Sequence, residues 1–261
     1  ASPAGDWLDT PPEVFFSCAA HARYLRENVS WTRALPEPLF LAYVLHPRVN
    51  NEALCDCRPV FYAALAERLR SLPEEAAILE INRWCAEHVA YQPTDERTRS
   101  ALAVLRAGFG RCGEESMFAV NVLRACGFAA RQVYVPRWAH CDDNHAWVEV
   151  RCGGAWHFLG ACEPEAVLDR GWFNSAAGRA VLVHSRCFGE PEPGADLIGR
   201  EGDVVYCNET ARYADVRRLT VRVTDENGMS AAGANVDFCV LNNCEWYPAA
   251  TVQTDASGMA A

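Results

Sequence analysis

The apolar residues in the first half of the chain recur every three to four positions, which is the spacing of α-helices. Pro73 and two acidic residues after it are typical of a helix start. Gly108 and Gly127 stand where helices end, because glycine accepts the left-handed conformation of a helix cap. The predicted helices cover residues 12–30, 58–71, 72–89, 102–107 and 112–126.

Beyond Gly127 the pattern changes to short apolar runs that predict β-strands. Cys152-Gly153-Gly154 separates two of these runs and predicts a hairpin turn. A helical half followed by an antiparallel sheet predicts an α+β fold, with a helical layer on the sheet. The predicted strands cover residues 130–135, 146–151, 156–159 and 181–184.

The last quarter of the chain has a different composition. Residues 189–203 carry prolines, glycines and acidic residues, which predict a linker or surface loop. Alternating apolar residues then return over residues 219–224 and 234–238, on either side of a turn. This pattern is typical of a β-sandwich, but a sandwich needs about 100 residues, so only a partial module is predicted.

These patterns divide the chain into four parts. The predicted parts are an N-terminal helical extension at 1–74, a core at 75–188, a linker or extended loop at 189–217, and a partial β-sandwich module at 218–261.

Composition narrows the classes of function. The chain has 261 residues, of which 50% are hydrophobic and 22% charged, as in ordinary globular proteins. A net charge of −10 argues against nucleic-acid binding, which needs clustered basic residues. No apolar run reaches the roughly 18–20 residues of a membrane helix, so no membrane span is predicted.

The thirteen cysteines are scattered and lack the density of a small disulfide scaffold. Cys85 and Cys126 fall on apolar helical faces, where buried reduced thiols are expected. Cys55-Asp56-Cys57 and His140-Cys141-Asp142 lack the two spaced pairs of a zinc site. We therefore predict neither a metal nor a cofactor.

One cysteine stands in a different context. Residues 108–115, Gly-Phe-Gly-Arg-Cys-Gly-Glu-Glu, place Cys112 on a glycine-flanked turn at the start of a predicted helix. A helix N-terminus presents unpaired N–H groups and a positive dipole, which lower the pKa of a thiol. Cys112 is therefore the predicted nucleophile.

His145 follows Cys112 by 33 positions and begins a predicted strand. An imidazole there can take the thiol proton and return it to a leaving group. Trp147 and Glu149 alternate with the apolar residues of the same strand. Glu149 is predicted to be a structural ion-pair partner. Trp147 is predicted to pack near the site, with contact to substrate as an alternative.

The segments around these residues resemble the transglutaminase-like superfamily of papain-related thiol enzymes. They are Gly110–Glu115, the passage Leu123–Arg131 and His145-Ala146-Trp147-Val148-Glu149-Val150. With Cys162-Glu163, the motifs look most like the peptide N-glycanase branch, although the paired Cys-x-x-Cys zinc motif of that branch is missing. The tail from residue 219 resembles immunoglobulin-like or carboxypeptidase-regulatory-like modules, which often follow enzymes in secreted bacterial proteins.

The chain departs from the family at the third catalytic position. The family places an aspartate four residues after the tryptophan of the next strand, where it orients the histidine. Here the tryptophan is Trp156 and the fourth residue on is Gly160. Glu163 is the predicted substitute, because glycine at 160 leaves space for a longer side chain. Glu165 is the weaker alternative.

The resemblance implies a papain-like enzyme in which Cys112 forms a thioester. Hydrolysis of that thioester by water is the favoured prediction, with transfer to an amine as the alternative. The predicted substrates are proteins, peptides or glycopeptides. Asn50 and Asn51, in a polar stretch between apolar blocks, are candidate cleft or oxyanion residues. The alternative is a catalytically impaired domain that binds peptide or glycan, with the β-module as a spacer. The β-module favours a secreted or cell-envelope location.

Overall fold

The computed structural model describes residues 3–95, 97–242 and 244–261. A π-helical turn at Leu41–Leu45 and a 3-10 turn at Thr210–Arg212 supplement the α-helices. The helices are α1 Ala4–Asp9, α2 Pro12–Asn28, α3 Ser30–Ala34, α4 Glu37–Phe40, α5 Arg58–Leu69, α6 Glu74–His88, α7 Ala101–Ala107, α8 Cys112–Ala125 and α9 Asn174–Ala177. The strands are β1 Ala90–Tyr91, β2 Phe109–Gly110, β3 Ala130–Val135, β4 His145–Cys152, β5 Ala155–Leu159, β6 His184–Cys187, β7 Leu197–Glu201, β8 Val204–Asn208, β9 Val221–Arg222, β10 Asn235–Asn242, β11 Glu245–Gln253 and β12 Met259–Ala260.

A six-stranded antiparallel sheet organises the molecule, in the order β5-β4-β3-β6-β8-β7. β3 and β4 pair along their length, from Ala130 opposite Val150 to Val135 opposite His145. Gly153 and Gly154 make the β4–β5 turn with φ values of 56° and 83°, a conformation that glycine adopts without steric cost. The predicted α+β class is confirmed, with helices on the sheet and further strands after it.

Helix α8 is the centre of the main core, since eleven of its residues from Glu115 onward are buried. It packs against α5 and α6 on one side and against the sheet on the other. Phe118 contacts Phe61 of α5 with a ring separation of 5.5 Å. Residues on both sides of the predicted boundary between 74 and 75 therefore pack in this one core.

Strand β4 alternates between the two faces of the sheet, as strands do. Val148 and Val150 join the core around α8. Trp147 joins a second apolar group on the opposite face, with Val133 and Phe173. Neighbouring residues at the beginning of β4 therefore belong to opposite faces of the sheet.

Two predictions about the middle of the chain were wrong. The fourth strand lies at His184–Cys187 and not at 181–184. The 189–203 stretch holds a sheet strand, β7, which pairs with β8 at the sheet edge. β7 escaped the sequence pattern because it is polar and mostly exposed, whereas Val205 and Cys207 of β8 point into a core.

The C-terminal strands form two small two-stranded sheets, β10–β11 and β9–β12. The β10–β11 hairpin contacts the loop that precedes β4, where Asn242 Nδ2 donates hydrogen bonds to the Trp138 and Cys141 carbonyls at 3.0 and 2.5 Å. Arg137 of that loop lies 3.7 Å from the ring centre of Tyr247. The β-module therefore supports the loop that leads into His145.

Within the described ranges 3–95, 97–242 and 244–261, helices of the length and apolarity needed to span a membrane do not occur.

Candidate active site

Cys112 is the first residue of α8 and lies in a cleft of about 370 Å³. Gln132, Asn144 and Ala146 line the same cleft. Glu114 and Glu115 close the first helical turn with N–H bonds to the Arg111 carbonyl, at 2.8 and 2.9 Å. The local fold therefore presents the thiol at a helix start, as the sequence predicts.

The thiol of Cys112 is protonated in this environment. Burial raises its pKa, and this outweighs the backbone N–H groups of Ala146 and Gly113 that contact the sulfur and lower the pKa. The Arg111 guanidinium also lowers the pKa of this thiol. A thiolate at neutral pH therefore needs a further stabilising charge.

His145 opens β4 and is only 8% exposed. Its ring lies among aromatic side chains, with centre separations of 4.8 Å to Trp172, 5.0 Å to Phe173 and 5.8 Å to Trp147. Burial lowers the pKa of His145 to about 4, and Asp143 opposes this shift weakly. The imidazole is therefore neutral at pH 7.

The structure brings Cys112 and His145 to the same point of the fold. The N–H of Ala146, the residue after His145, contacts the Cys112 sulfur. Nε2 of His145 is buried and accepts or donates no hydrogen bond within the described part of the chain. A buried ring nitrogen without a hydrogen bond destabilises the folded state. A histidine with a purely structural role would be expected to have a partner for Nε2.

Glu163 fills the space that Gly160 leaves. A Cβ atom at position 160 would lie 3.0 Å from Glu163 Cβ and 3.2 Å from Cδ, and would collide with Oε2. The Glu163 carboxyl group thus occupies the volume next to position 160. Burial raises the pKa of Glu163, against a lowering contribution from Trp172.

Trp172 connects Glu163 to His145. Its Nε1 donates a hydrogen bond of 3.0 Å to Glu163 Oε1, and its ring packs on the His145 ring. The other carboxyl oxygen, Oε2, is buried without a hydrogen-bond partner among the described residues. Glu165, the weaker alternative, lies 3.5 Å from the exposed Arg170.

Asn82 of α6 holds the loop that carries Glu163. Its Nδ2 donates to the Gly160 and Glu163 carbonyls at 2.9 and 3.1 Å, and its Oδ1 accepts the Cys162 N–H at 3.0 Å. Cys162 has a φ of 58°, which sets the turn of this loop. Asn82 is 2% exposed, so this clamp is part of the core.

Two neighbouring acids in the first turn of α8 have different surroundings. Glu114 receives hydrogen bonds from Arg99 and Thr94, and although burial would raise its pKa, these bonds lower it to about 2. Glu115 faces Glu163 instead, and burial together with that charge raises its pKa to about 8. Glu114 is therefore a structural anion, and Glu115 is protonated at pH 7.

Asn50 and Asn51 both line the cleft with Cys112. The side-chain amide of Asn50 donates to Gln132 Oε1 at 2.6 Å, and its backbone N–H donates to Glu52 at 2.7 Å. Glu52 also accepts the Val49 N–H, which fixes the turn. Asn50 and Asn51 thus remain candidates for contact with substrate.

The structure places Trp147 away from the cleft, and not among the substrate contacts that were predicted as its alternative role. Its side chain is fully buried, and its Nε1 donates to the Tyr213 hydroxyl at 2.9 Å on the face of the sheet opposite α8. It therefore packs behind His145 and has no access to the cleft. Glu149, on the same face, pairs with Arg131 and Arg212, which confirms its structural role.

Sequence reasoning missed several cleft residues. Gln132 donates to the Gly113 carbonyl and the Ser116 hydroxyl at 2.9 and 2.7 Å, and so joins β3 to the start of α8. Arg186 and Tyr134 line the cleft beside it. Tyr91 is mostly exposed. Partial burial of its hydroxyl and the nearby Cys112 raise the pKa of Tyr91. Polar residues within apolar strands were the available indication for Gln132 and Arg186.

The described ranges 3–95, 97–242 and 244–261 contain no group of three or more His, Cys, Asp or Glu side chains that could hold a metal ion.

Comparison with protein families agrees with this constellation. Residues 63–161 match the model of the transglutaminase-like superfamily. The match begins inside α5 and includes Cys112 and His145, but ends before Glu163. It supports a thiol-dependent enzyme family.

Solved structures with similar folds include two bacterial proteins. A candidate cysteine protease from Cytophaga hutchinsonii is 15% identical, with a TM-score of 0.40 over 71% of this chain and 68% of that chain. A candidate protease from Parabacteroides distasonis ATCC 8503 is 14% identical, with a TM-score of 0.38 over 66% of this chain and 29% of that chain. Curated proteins give no match to this sequence.

Proposed function

We propose that this protein is a cysteine-dependent acyl-transfer enzyme that hydrolyses peptide or amide bonds through a thioester on Cys112. The observation that carries the proposal is that Trp172 joins two groups: it bonds the Glu163 carboxyl group, which fills the space at Gly160, and it packs on the His145 ring. Nε2 of His145 has no hydrogen-bond partner among the described residues. This chain departs from the family's pattern at position 160, and Glu163 supplies the missing carboxyl group in the proposed site.

In the proposed mechanism, His145 accepts the Cys112 proton through Nδ1, because Nε2 is the buried nitrogen. The sulfur attacks the substrate carbonyl carbon, and the backbone N–H of Cys112 stabilises the oxyanion. The imidazolium then protonates the leaving amine as the C–N bond breaks. Water attacks the thioester, gives its proton to His145, and the C–S bond breaks as the sulfur regains a proton.

Glu163 acts in this mechanism as the group that orients His145 and stabilises its cation. A hydrogen bond from Nε2 to Glu163 Oε2 would satisfy the two orphaned atoms together. It would also raise the pKa of His145 and so favour the thiolate–imidazolium pair. The Trp172 bond to Oε1 holds the carboxyl group on the same tryptophan whose ring packs on His145.

The second candidate function is a binding domain that keeps the cleft without turnover. Its support is the neutral pair: the pKa of Cys112 is raised and the pKa of His145 is lowered to about 4, each by burial. Such a domain would bind peptide or glycan in the 370 Å³ cleft. The β-module would then be a spacer.

The proposal extends to the branch and setting of the enzyme. The Gly-Arg-Cys-Gly-Glu and His-x-Trp-x-Glu-Val motifs favour kinship with the peptide N-glycanase branch, and hence a peptide or glycopeptide substrate. The paired strands after residue 218 favour an immunoglobulin-like or carboxypeptidase-regulatory-like module. A secreted or cell-envelope bacterial enzyme is consistent with this kinship and with the C-terminal module.

The test measures alkylation of Cys112 by iodoacetamide from pH 4 to 10, by mass spectrometry of the Cys112 peptide. We compare the wild type with His145→Ala and Glu163→Gln. An ion pair labels Cys112 quickly at pH 5–6, and both variants remove this phase. Labelling that rises only above pH 8 in all three proteins would support the binding domain.

The same proteins are then offered peptide and glycopeptide amides. Cys112→Ala is expected to lose turnover and to keep its folded circular-dichroism spectrum. Undiminished turnover in Cys112→Ala would end the proposal.

A further inference from the structure

One wall of the cleft carries a cation that the mechanism does not use. Arg186 of β6 lines the cleft together with Cys112, Gln132 and Tyr134. The guanidinium carbon lies 5.8 Å from the ring centre of Tyr134 and 5.6 Å from that of Tyr206. Two aromatic faces thus hold the side chain in place beside the opening, as cation–π contacts do.

A chain of hydrogen bonds connects Arg186 to the nucleophile. One Nη group of Arg186 donates to Asn50 Oδ1, and Asn50 Nδ2 donates to Gln132 Oε1. Gln132 Nε2 in turn donates to the carbonyl of Gly113, the residue after Cys112. The position of Arg186 relative to the thiol is therefore built into the site.

Arg186 has no anion as a partner. Among residues 3–95, 97–242 and 244–261, no carboxylate lies within ion-pair distance of it, and its Nε is buried without a hydrogen bond. Arg131 shows the contrast, since it pairs with both Glu149 and Glu209. The acid that lines the cleft, Asp95, is already bonded to Arg97.

The surroundings make this cation unusual. The protein has a net charge of −10, yet the described lining of the cleft holds two arginines and one paired acid. A guanidinium presents a planar set of donors that matches a carboxylate. A low-dielectric cleft also strengthens attraction to an anion that displaces water.

We propose that Arg186 binds a carboxylate of the substrate next to the amide that Cys112 attacks, so that the cleft selects acidic peptides. This inference rests on the proposed function for its substrate but not for the anion site itself. The carboxylate belongs either to an aspartate or glutamate side chain or to a peptide C-terminus. In both cases the recognising chemistry is the same.

The first experiment needs no turnover. Iodoacetate and iodoacetamide alkylate a thiol alike but differ in a carboxylate, so their rate ratio at Cys112 reports an anion site. We expect Arg186→Met to lower the iodoacetate-to-iodoacetamide ratio about tenfold and to leave the iodoacetamide rate unchanged. Arg186→Lys keeps the charge and is expected to retain part of the ratio.

The matched control is Arg200→Met, which removes an exposed arginine of the same sheet that lies outside this cleft. Its ratio should equal that of the wild type. An unchanged ratio in Arg186→Met, or an equal loss in Arg200→Met, would overturn the inference.

The second experiment separates the two sources of carboxylate. One arm uses peptidyl coumarin amides with Glu, Gln or Lys before the scissile amide, and the other uses alanine peptides with a free or amidated C-terminus. Arg186→Met should raise KM about tenfold for the acidic member of one arm, with kcat and the neutral members unchanged.

The outcomes of the two experiments are distinguishable. If no peptide is hydrolysed but Arg186→Met still loses the iodoacetate preference, the anion site stands and the proposed hydrolase fails. If peptides are hydrolysed and neutral peptides are preferred in wild type and Arg186→Met alike, the hydrolase stands and the anion site fails.

Discussion

Glu149 within β4 and Glu163 just after β5 are two acidic residues withdrawn from solvent, the first buried and the second half-buried, but their surroundings are opposite. Glu149 accepts hydrogen bonds from Arg131, Arg212 and the Tyr213 hydroxyl, at 2.8, 2.9 and 2.7 Å. Glu163 receives one hydrogen bond, from an exposed tryptophan, and its Oε2 has no partner among the described residues.

The pKa values of the two groups follow from these partners. Burial alone would raise the pKa of Glu149, but Arg131 and Arg212 lower it, so this group is an anion. Burial raises the pKa of Glu163, and the Trp172 bond opposes this only in part. A fully bonded carboxylate stabilises a fold, whereas an incompletely bonded one that a tryptophan links to an imidazole is available for chemistry.

The largest effect on stability is expected from removing the charge of Glu149, the fully bonded carboxylate. Glu149→Gln leaves Arg131 and Arg212 without their shared anion inside the protein, and we expect it to lower the free energy of unfolding by about 3–5 kcal/mol. Urea denaturation at pH 7 under reducing conditions measures this. Glu163→Gln is the control, and a loss above about 1 kcal/mol there would erase the distinction between the two acids.

The next effect concerns activity. Glu163→Gln should lower kcat about 100-fold with little change in KM, because the amide cannot stabilise the His145 cation. The low-pH limb of the kcat–pH profile should shift to lower pH, because Glu163 no longer raises the pKa of His145.

A transplant sharpens this test. In the Glu163→Ala background, Gly160→Asp restores a carboxylate next to the same space, since the colliding side chain is gone. We expect it to recover at least about tenfold of the lost kcat. Full activity in Gly160→Asp alone, where Glu163 still occupies the space, would contradict the steric argument.

Glu115 offers a pH test of the same region. Its folded pKa of about 8 lies above the ordinary value of 4.5, so the folded state holds a proton that the unfolded state releases. The free energy of unfolding should therefore fall as pH rises from about 4.5 to 8. Glu115→Gln should flatten this slope, as compared by urea denaturation at pH 5 and pH 8. A Glu115→Gln slope as steep as that of the wild type would place the proton elsewhere.

The smallest effect is expected from Trp172→Phe. The ring that packs on His145 remains, but the N–H that bonds Glu163 Oε1 is lost. One hydrogen bond of this kind has a net value of about 0.5–1.5 kcal/mol, so kcat should fall about 2- to 10-fold. A 100-fold loss would mean that Trp172 itself contacts the reacting groups.

The parts of the fold with strong periodicity could be predicted from sequence. Helix α8 carries a run of mostly apolar residues that stops before Gly127, and the β4–β5 hairpin has a two-glycine turn. These elements are therefore found within one or two residues of their predicted bounds. β7 could not be predicted, because its residues are mostly exposed and its place in the sheet depends on β8. Pairing between distant segments leaves no local pattern.

The residues of the candidate site fall into the same two groups, those with a local sequence pattern and those without one. Cys112 and His145 stand at element starts, where a local pattern points to them. Arg186 and Gln132 share the cleft although 54 positions separate them in sequence, and only the pairing of β3 with β6 brings them side by side. Whether Trp147 faces the cleft also depends on which side of the sheet α8 packs against, which the sequence leaves open.

The alternation along β4 has a consequence for how natural variants of this protein can differ in length. A single inserted or deleted residue within His145–Cys152 would exchange the two faces, sending Val148 toward the Trp147 side and removing His145 from its place. We therefore expect insertions and deletions to be excluded from this strand over evolutionary time. They should accumulate in the surface segment at 189–196, where no residue lines the cleft.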